Sequence, residues 1–516
     1  MFVNSSDPPA PTPPESQDDA LSAGPPGATL QVENVQLQDG NLTWTHANDD
    51  SSGQTTIDQV LFTIHPTRSA TQADKYIICC LREDAADNPD NPAHPTSLLL
   101  LTTHAIPDEL LNAPLLSHPP PHLQQTPHNE VDVVVSTKSG VGRARPFWQD
   151  VVRPLLQVVL QPGHTATGQQ PWNTIITQDA QSVRRYAKSL HPSGPSKTII
   201  LISGDGGVVD LLNGRESNTD EEVAKAKAKA KVKAAKLPLL ALLPLGTANA
   251  LFHSLHKPVE SRSPGPTLLV LSLRTLFTGT PARLPLFKAS FTPGSHIVSH
   301  TSTADDGSNP ETCLGPRKDT AVSHLYGAVV ASYALHASIV CESDTPEYRV
   351  HGSKRFGMAA QQLLRESHPY RASVEVMTSS EPEYRRVGRD THGYVLVSMV
   401  SNLEKTFTVS PGTRPLDGKL RLVQFGPVGE KKTVEVMMGA YDGGKHTLLE
   451  WEDGEKVRYE EVERVRVVTQ EEDGRWRKFC VDGTIVHVER GGGMVVEAVE
   501  EAAFRVLVDE RVLLHG

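Results

Sequence analysis

The feature that most constrains this chain is the alternation of buried strands and helices between Val131 and Lys257, with a glycine turn closing three of the strands. "VDVVVSTKSG" reads as a strand, "PFWQDVVRPLLQVVL" as a helix, "WNTIITQ" as a strand and "DAQSVRRYAKSL" as a helix. "TIILISGDGG" and "VVDLLNG" repeat the pair, and after an insert "LPLLALLPLGT" and "ANALFHSLHK" repeat it again. Strands that alternate with helices call for a parallel sheet with helices packed on its faces.

The flanking segments have a different texture. Residues 1–27, opening "MFVNSSDPPAPTPPESQDD", carry neither a basic stretch nor an apolar core, so they read as a disordered leader and not a secretory signal. Residues 28–115 hold short, partly alternating apolar runs such as "QVLFTIH", "KYIICCLRE" and "SLLLLTTH" and a helix around "PDELLNAPLL". They predict a small β-rich domain, with a pleckstrin-homology-like fold as one candidate. Residues 116–130 have the Pro-rich composition of a linker, and their His118, His122 and His128 read as solvated side chains, not metal ligands.

Within the α/β domain, 131–283, the insert 215–236 ("RESNTDEEVAKAKAKAKVKAAK") reads as an exposed helix. Thr219 and Glu222 form a capping box, and Glu221 lies four residues before Lys225. A basic patch for lipid headgroups is the alternative. From residue 284 to 516 the texture is β again, in "LPLFKASFTP", "HGYVLVSMVS", "DGKLRLVQFG", "KKTVEVMMGAY", "KVRYEEVERVRVVTQ" and "RWRKFCVDGTIVHVE", with one helical stretch, "GSKRFGMAAQQLLRES". The expected fold is therefore an α/β lobe with a parallel sheet plus an antiparallel β-sandwich lobe, preceded by a small N-terminal β domain.

Bulk properties exclude several function classes. At 516 residues the chain has room for about three domains. A net charge of −11 argues against general nucleic-acid binding, because a phosphate-backbone binder usually presents a basic surface. The five cysteines are dispersed and show neither metal spacing nor a disulfide framework, which fits a reducing compartment. No apolar run reaches the ~18 residues of a membrane span, so contact with a membrane is expected to be peripheral, from the cytoplasm.

In a parallel α/β sheet, ligands bind beyond the carboxyl ends of the strands, where Gly-rich turns and helix N-termini present free amides to anions. "TKSGVG", "SGDGG" and "PLGTAN" are three such turns on successive strands, and together they predict a phosphate cradle. Two other motifs carry nothing. "GAYDGGKH" approaches a phosphate-binding loop, but His446 stands where Ser or Thr is required and the neighbours read as strands, which leaves a hairpin turn. "RVGRDTHG" lacks the surroundings of a protein-kinase catalytic loop.

The order "STKSG", "TQDA", "SGDGG", "LPLGTANAL" resembles the lipid kinase family of diacylglycerol, sphingosine and ceramide kinases, with "SGDG" and "GTANAL" nearest the sphingosine kinase branch. "CESDTPEYRVHGSKRF", "PLDGKLRLVQF" and "CVDGTIV" extend the resemblance over roughly residues 131–510. It implies a nucleotide pocket lined by Ser136, Thr137, Lys138, Thr177, Ser203, Gly204, Gly206, Gly246, Thr247 and Ala248, with Asp210 on the following helix. It further implies Arg349 and Arg355 as phosphate-gripping arginines and Asp482-Gly483 as a turn closing on the nucleotide.

Asp205 becomes the candidate general base for an attacking hydroxyl, the alternative being a cap on the helix beginning near Val208. The chain departs from the family pattern at Ser136-Thr137, where the family has Asn-Pro, and at Thr484, where it has a carboxylate. It departs again at Ser338, aligned with the aspartate that pairs with a sphingoid ammonium. The expected activity is ATP- and Mg²⁺-dependent phosphorylation of a primary hydroxyl on a sphingoid base, diacylglycerol or related lipid at a membrane surface, with a homodimer compatible. A non-catalytic lipid-binding scaffold on the same fold and, less favoured, a kinase of NAD are the alternatives.

Overall fold

The computed structural model describes residues 29–49, 51–65, 75–83, 96–111, 114–160, 170–191, 194–216, 237–260, 265–299, 317–352 and 354–514. The leader and nearly all of the Lys/Ala-rich insert lie outside these residues.

The strand-helix alternation folds into a six-stranded sheet. Its strands are β1 (Asn129–Val135), β2 (Asn173–Ile176), β3 (Ser196–Ser203), β4 (Leu239–Pro244), β5 (Thr280–Arg283) and β6 (Arg505–Val508). The spatial order is β5-β6-β4-β3-β1-β2. β2, β1, β3, β4 and β6 run parallel, and β5 is antiparallel to β6. The sheet therefore recruits a strand from the far end of the chain, which hydrogen-bonds beside β4 although some 260 residues separate them. β1 and β3 are buried along their aliphatic runs, as strands covered on both faces must be.

Helices follow the strands: residues 144–160, which include a π turn at Trp148–Val152, then Ser182–Lys188, α1 (Asp205–Glu216) and α2 (Ala250–Glu260). The sequence reading leaves α3 (Leu268–Thr278) unassigned. It is apolar nearly all round and correspondingly buried, capped by Thr267 Oγ1 accepting from Val270 N.

The N-terminal strands form a seven-stranded sheet. Its apolar face shares one core with the α/β helices, where Phe62 meets Phe277 with ring centroids 4.7 Å apart and Leu61, Leu81 and Leu100 pack with Val151, Leu155 and Leu273. Arg274 of α3 donates to the carbonyls of Ile57, Asp58 and Val60. The Pro-rich segment between the two sheets is packed down: Leu123 is fully buried, and a ring nitrogen of His122 lies 2.8 Å from the Leu276 carbonyl oxygen. His122 is thus not a solvated side chain, and burial lowers its proton affinity.

Because charge-assisted bonds to buried carbonyls are worth more than neutral ones, Arg274→Ala is expected to cost about 3 kcal/mol of stability. A urea unfolding midpoint measures it, and an unchanged midpoint would show that the sheet is not held by this contact.

The remaining strands form two antiparallel sheets of seven and eight strands. Their inner faces share one core, in which Phe291 and Tyr333 both pack on Phe479. The longer helices of this region are α4 (Leu335–Ser343), α5 (Lys354–Glu366) and α6 (Gly429–Tyr441).

α6 corrects the strand expected at "KKTVEVMMGAY". Thr433, Val436 and Ala440 recur at helical spacing and turn one face into the core, so tertiary burial overrides the β preference of its valines and threonine. "GAYDGGKH" is accordingly the end of that helix and a short 3₁₀ turn, Lys445–Leu448, not a hairpin between strands. Cys79, Cys80, Cys341 and Cys480 are buried and unbridged; Cys313 lies outside the described residues.

Candidate active site

Parallel registry brings the three glycine turns side by side. Val135 is level with Ile202 and Ile176, and Ser203 with Pro244, so the chain leaves β1, β2, β3 and β4 at one edge of the sheet. Backbone bonds then tie the exits together. Ser136 N donates to Ile202 O, Leu245 N to Ser203 O and Thr177 N to Val135 O. Thr137 N donates to Thr177 Oγ1 at 3.0 Å and Thr137 Oγ1 to Thr177 O at 3.1 Å. Gly204 N donates to Ser139 Oγ at 2.8 Å, closing the first turn onto the second.

The second and third turns touch backbone to backbone. A Cβ added at Gly204 would lie 2.6 Å from Gly246 Cα, and the reverse holds at Gly246. Such an approach admits only glycine. Gly140 makes the same demand of the first turn, against Leu245 O at 2.5 Å. Gly206 differs, since nothing lies within 4 Å of its Cβ position.

Asn249 belongs to this arrangement, although the sequence reading does not single it out. It takes φ 53°, its Oδ1 accepts from Gly246 N at 2.9 Å, and its Nδ2 donates to Gly246 O at 3.0 Å. An asparagine two to four residues after a strand-end glycine is the available signal, because Asn tolerates left-handed backbone and bonds its own turn.

Asp205 is the first residue of α1, yet its carboxylate does not cap that helix. Oδ2 accepts from Ala250 N at 2.7 Å and Oδ1 from Leu251 N at 3.1 Å, so it caps α2 instead. The alternative of a cap on a helix beginning near Val208 differs from the structure on both counts: the helix starts three residues earlier and the capped helix is the next one. Burial raises the proton affinity of Asp205, while the two amides and His253 act the other way. Each oxygen keeps a lone pair free for a further partner.

Asp482 and Gly483 form the two-residue turn of a hairpin, at φ 45° and 87°. The Asp482 carboxylate accepts from the amides of Ala328, Val329 and Val330 at 2.6 to 3.2 Å. Burial pushes it up to about 7 despite those amides, and the charge of Asp205 adds to the rise. The structure thus brings the two acids within electrostatic reach of each other.

Other expected site residues have partners of their own. Asp210 pairs with Arg184 at 2.8 Å across the contact between α1 and Ser182–Lys188. Arg349 and Arg355 converge on one carboxylate, Asp344, at 2.8 and 3.4 Å. Arg355 Nε is buried without a partner and its guanidinium lies over the Phe356 ring, so this pair retains donor capacity. Ser338 is buried in α4 and accepts from Tyr370 Oη at 2.8 Å. Lys138 and Thr247 are exposed, and Ala248 is half-buried.

One family model matches the chain, over its α/β sheet. Residues 130–276 match the family model of the diacylglycerol kinase catalytic domain, a span that begins in β1 and ends in α3. A structure of a diacylglycerol kinase from Bacillus anthracis str. Sterne aligns at 13% identity and TM-score 0.42, covering 74% of this chain and 98% of the other. A second structure from that organism aligns at 14% identity and TM-score 0.45, covering 75% and 97%. No curated protein matches the chain.

Proposed function

We propose that this chain, which carries a diacylglycerol kinase catalytic domain over residues 130–276, transfers the γ-phosphoryl group of ATP to the hydroxyl of a diacylglycerol or related lipid. The observation that carries the reading is the convergence of three strand-end turns, backbone against backbone, with one carboxylate beside them. Phosphoryl transfer needs mostly positioning and charge neutralisation, which turn amides and helix N-termini supply. The nucleotide would lie against the turns at Ser136–Lys138, Ser203–Gly206 and Gly246–Ala248, between an α/β lobe and the antiparallel sheets as a second lobe.

Asp205 would accept the proton of the attacking hydroxyl as the O–P bond forms and the bond to ADP breaks. Its raised proton affinity brings it nearer the optimum for a base at neutral pH. Arg349 and Arg355 would neutralise phosphate oxygens, exchanging some of their contact with Asp344.

Among the described residues no group of three or more His, Cys, Asp or Glu could hold a metal ion. Mg²⁺ would be held mainly by the phosphate oxygens and water, and would supply charge neutralisation. Among the described residues no helix is long and apolar enough to cross a membrane, and the lipid would be met at its surface.

One observation favours a second reading, a lipid-binding scaffold: both Asp205 oxygens already serve as a helix cap. Labelled ATP with a panel of diacylglycerol, ceramide, sphingosine and NAD separates the readings. Transfer to a lipid supports the kinase; lipid binding with no transfer to any acceptor overturns it.

A further inference from the structure

The helix begun by Asp205 also reaches the antiparallel sheets. Near its far end, Asn213 Nδ2 donates to the Tyr326 carbonyl at 2.9 Å, and Tyr326 N donates back to Asn213 Oδ1 at 2.9 Å. Tyr326 lies on the strand His324–Gly327, at the edge of the seven-stranded antiparallel sheet. An edge strand turns backbone N–H and C=O groups outward without a strand to pair them, and the carboxamide of Asn213 supplies both partners to one peptide unit. Asn213 Nδ2 also donates to Val209 O at 2.9 Å, one turn back in α1, which holds the amide in its orientation.

Arg215 fastens the same end of α1. It donates to Ala503 O at 2.6 Å and lies over the Phe504 ring. Ala503 and Phe504 lead back into β6, and Leu284 N, just past β5, donates to Phe504 O. Arg215 therefore grips the place where the chain leaves the α/β sheet and returns to it, and Asn213 grips the antiparallel sheet beyond.

What Asn213 holds is the backbone against which Asp482 rests. Gly327 follows Tyr326, and a Cβ there would lie 2.9 Å from Asp482 Oδ2. The next three amides, of Ala328, Val329 and Val330, are the ones that bind the Asp482 carboxylate. One end of α1 thus carries Asp205, and the other is bonded to the segment that cradles Asp482.

We infer that Asn213 is a positioning residue for phosphoryl transfer: by pinning α1 to the strand His324–Gly327 it sets how far Asp205 stands from Asp482. The inference rests on the kinase reading, in which Asp205 is the base, and adds a residue outside the glycine turns. Misplacement of a reacting group by about 1 Å can cost 10²-fold in rate. The turns proposed to hold ATP are tied to one another at the strand ends, without Asn213.

The test uses the full chain with labelled ATP and phosphatidylcholine vesicles carrying diacylglycerol, ceramide or sphingosine. Asn213→Ala should lower kcat about 10- to 100-fold while ATP affinity, by calorimetry, stays at the wild-type value. Arg274→Ala, destabilised away from the acids, is the control and should keep the wild-type kcat below its melting temperature. A second readout needs no turnover: the carboxyl ¹³C resonance of Asp482, assigned by its loss in Asp482→Asn. Burial and then the charge of Asp205 hold Asp482 up at about 7, against the amides of residues 328–330. Moving the acids apart therefore lowers its titration point in Asn213→Ala. His253, the other titratable group acting on Asp205, sits on α2 and is untouched by the substitution.

Should Asn213→Ala fail to fold, Asn213→Gln keeps the amide one methylene further out and should show both changes at smaller size. Wild-type kcat in a folded variant, or an Asp482 titration that does not move, overturns the inference and leaves the kinase standing. Absence of transfer to every lipid by the wild-type chain overturns the kinase reading and the positioning role with it.

Discussion

Asp205→Asn is expected to lower the turnover of lipid phosphorylation by about 10² to 10⁴, the usual worth of a positioned general base. The fold should survive. Asn Oδ1 can still accept one of the two amides, from Ala250 or Leu251, and the other is left facing an amide NH₂, at about 1–3 kcal/mol. Since that cost falls on stability and the rate loss on chemistry, thermal melting beside a steady-state assay separates the two. A variant with wild-type turnover would make Asp205 a helix cap and nothing more.

The pH profile gives an independent check. A base must be ionised to accept a proton, so activity falls on acidification as Asp205 is protonated. Burial raises its folded-state proton affinity, which moves that acid limb above the ordinary carboxylate range. Asp482 is pushed up to about 7, and the charge of Asp205 is one cause of that rise, so the two acids are coupled. The limb then belongs to the pair, and its midpoint shifts when either acid is replaced.

The part of this site written locally in the chain was legible, and the part made by distant contacts was not. Each glycine turn follows a continuous aliphatic run, so its place at a strand end can be read from neighbours alone, and Gly204, Gly206 and Gly246 are found that way. What Asp205 binds cannot be read so. Its partners lie 45 and 46 residues on, across the insert, and only the parallel pairing of β3 with β4 brings them near.

The same reason hides β6, which is four residues of ordinary β texture until it pairs with β4. It also hides Arg274, whose acceptors lie more than 200 residues earlier. In α6 the error runs the other way: local β preference was read correctly and lost to the burial of one helical face.

The contrast between two glycines of one motif carries the second large effect. Gly204→Ala places a methyl 2.6 Å from Gly246 Cα, and the atom in the way is backbone, so no side chain can yield. The turn after β3 must move off the turn after β4, taking with it the Gly204 N to Ser139 Oγ bond that holds the first turn. All three turns lose registry together, and displacement of amides by about 1 Å is expected to weaken ATP binding more than 100-fold.

Gly206→Ala, one residue past Asp205, puts its methyl into open space with no neighbour within 4 Å and lies in helical backbone, where alanine is the better residue. The fold should keep or gain stability there. ATP affinity by titration calorimetry decides between the two sites. If Gly204→Ala binds ATP like the wild type, the contact of the second and third turns does not build the phosphate site. If Gly206→Ala alone loses affinity while remaining folded, the open space over Gly206 is where the nucleotide sits, and the methyl has displaced it.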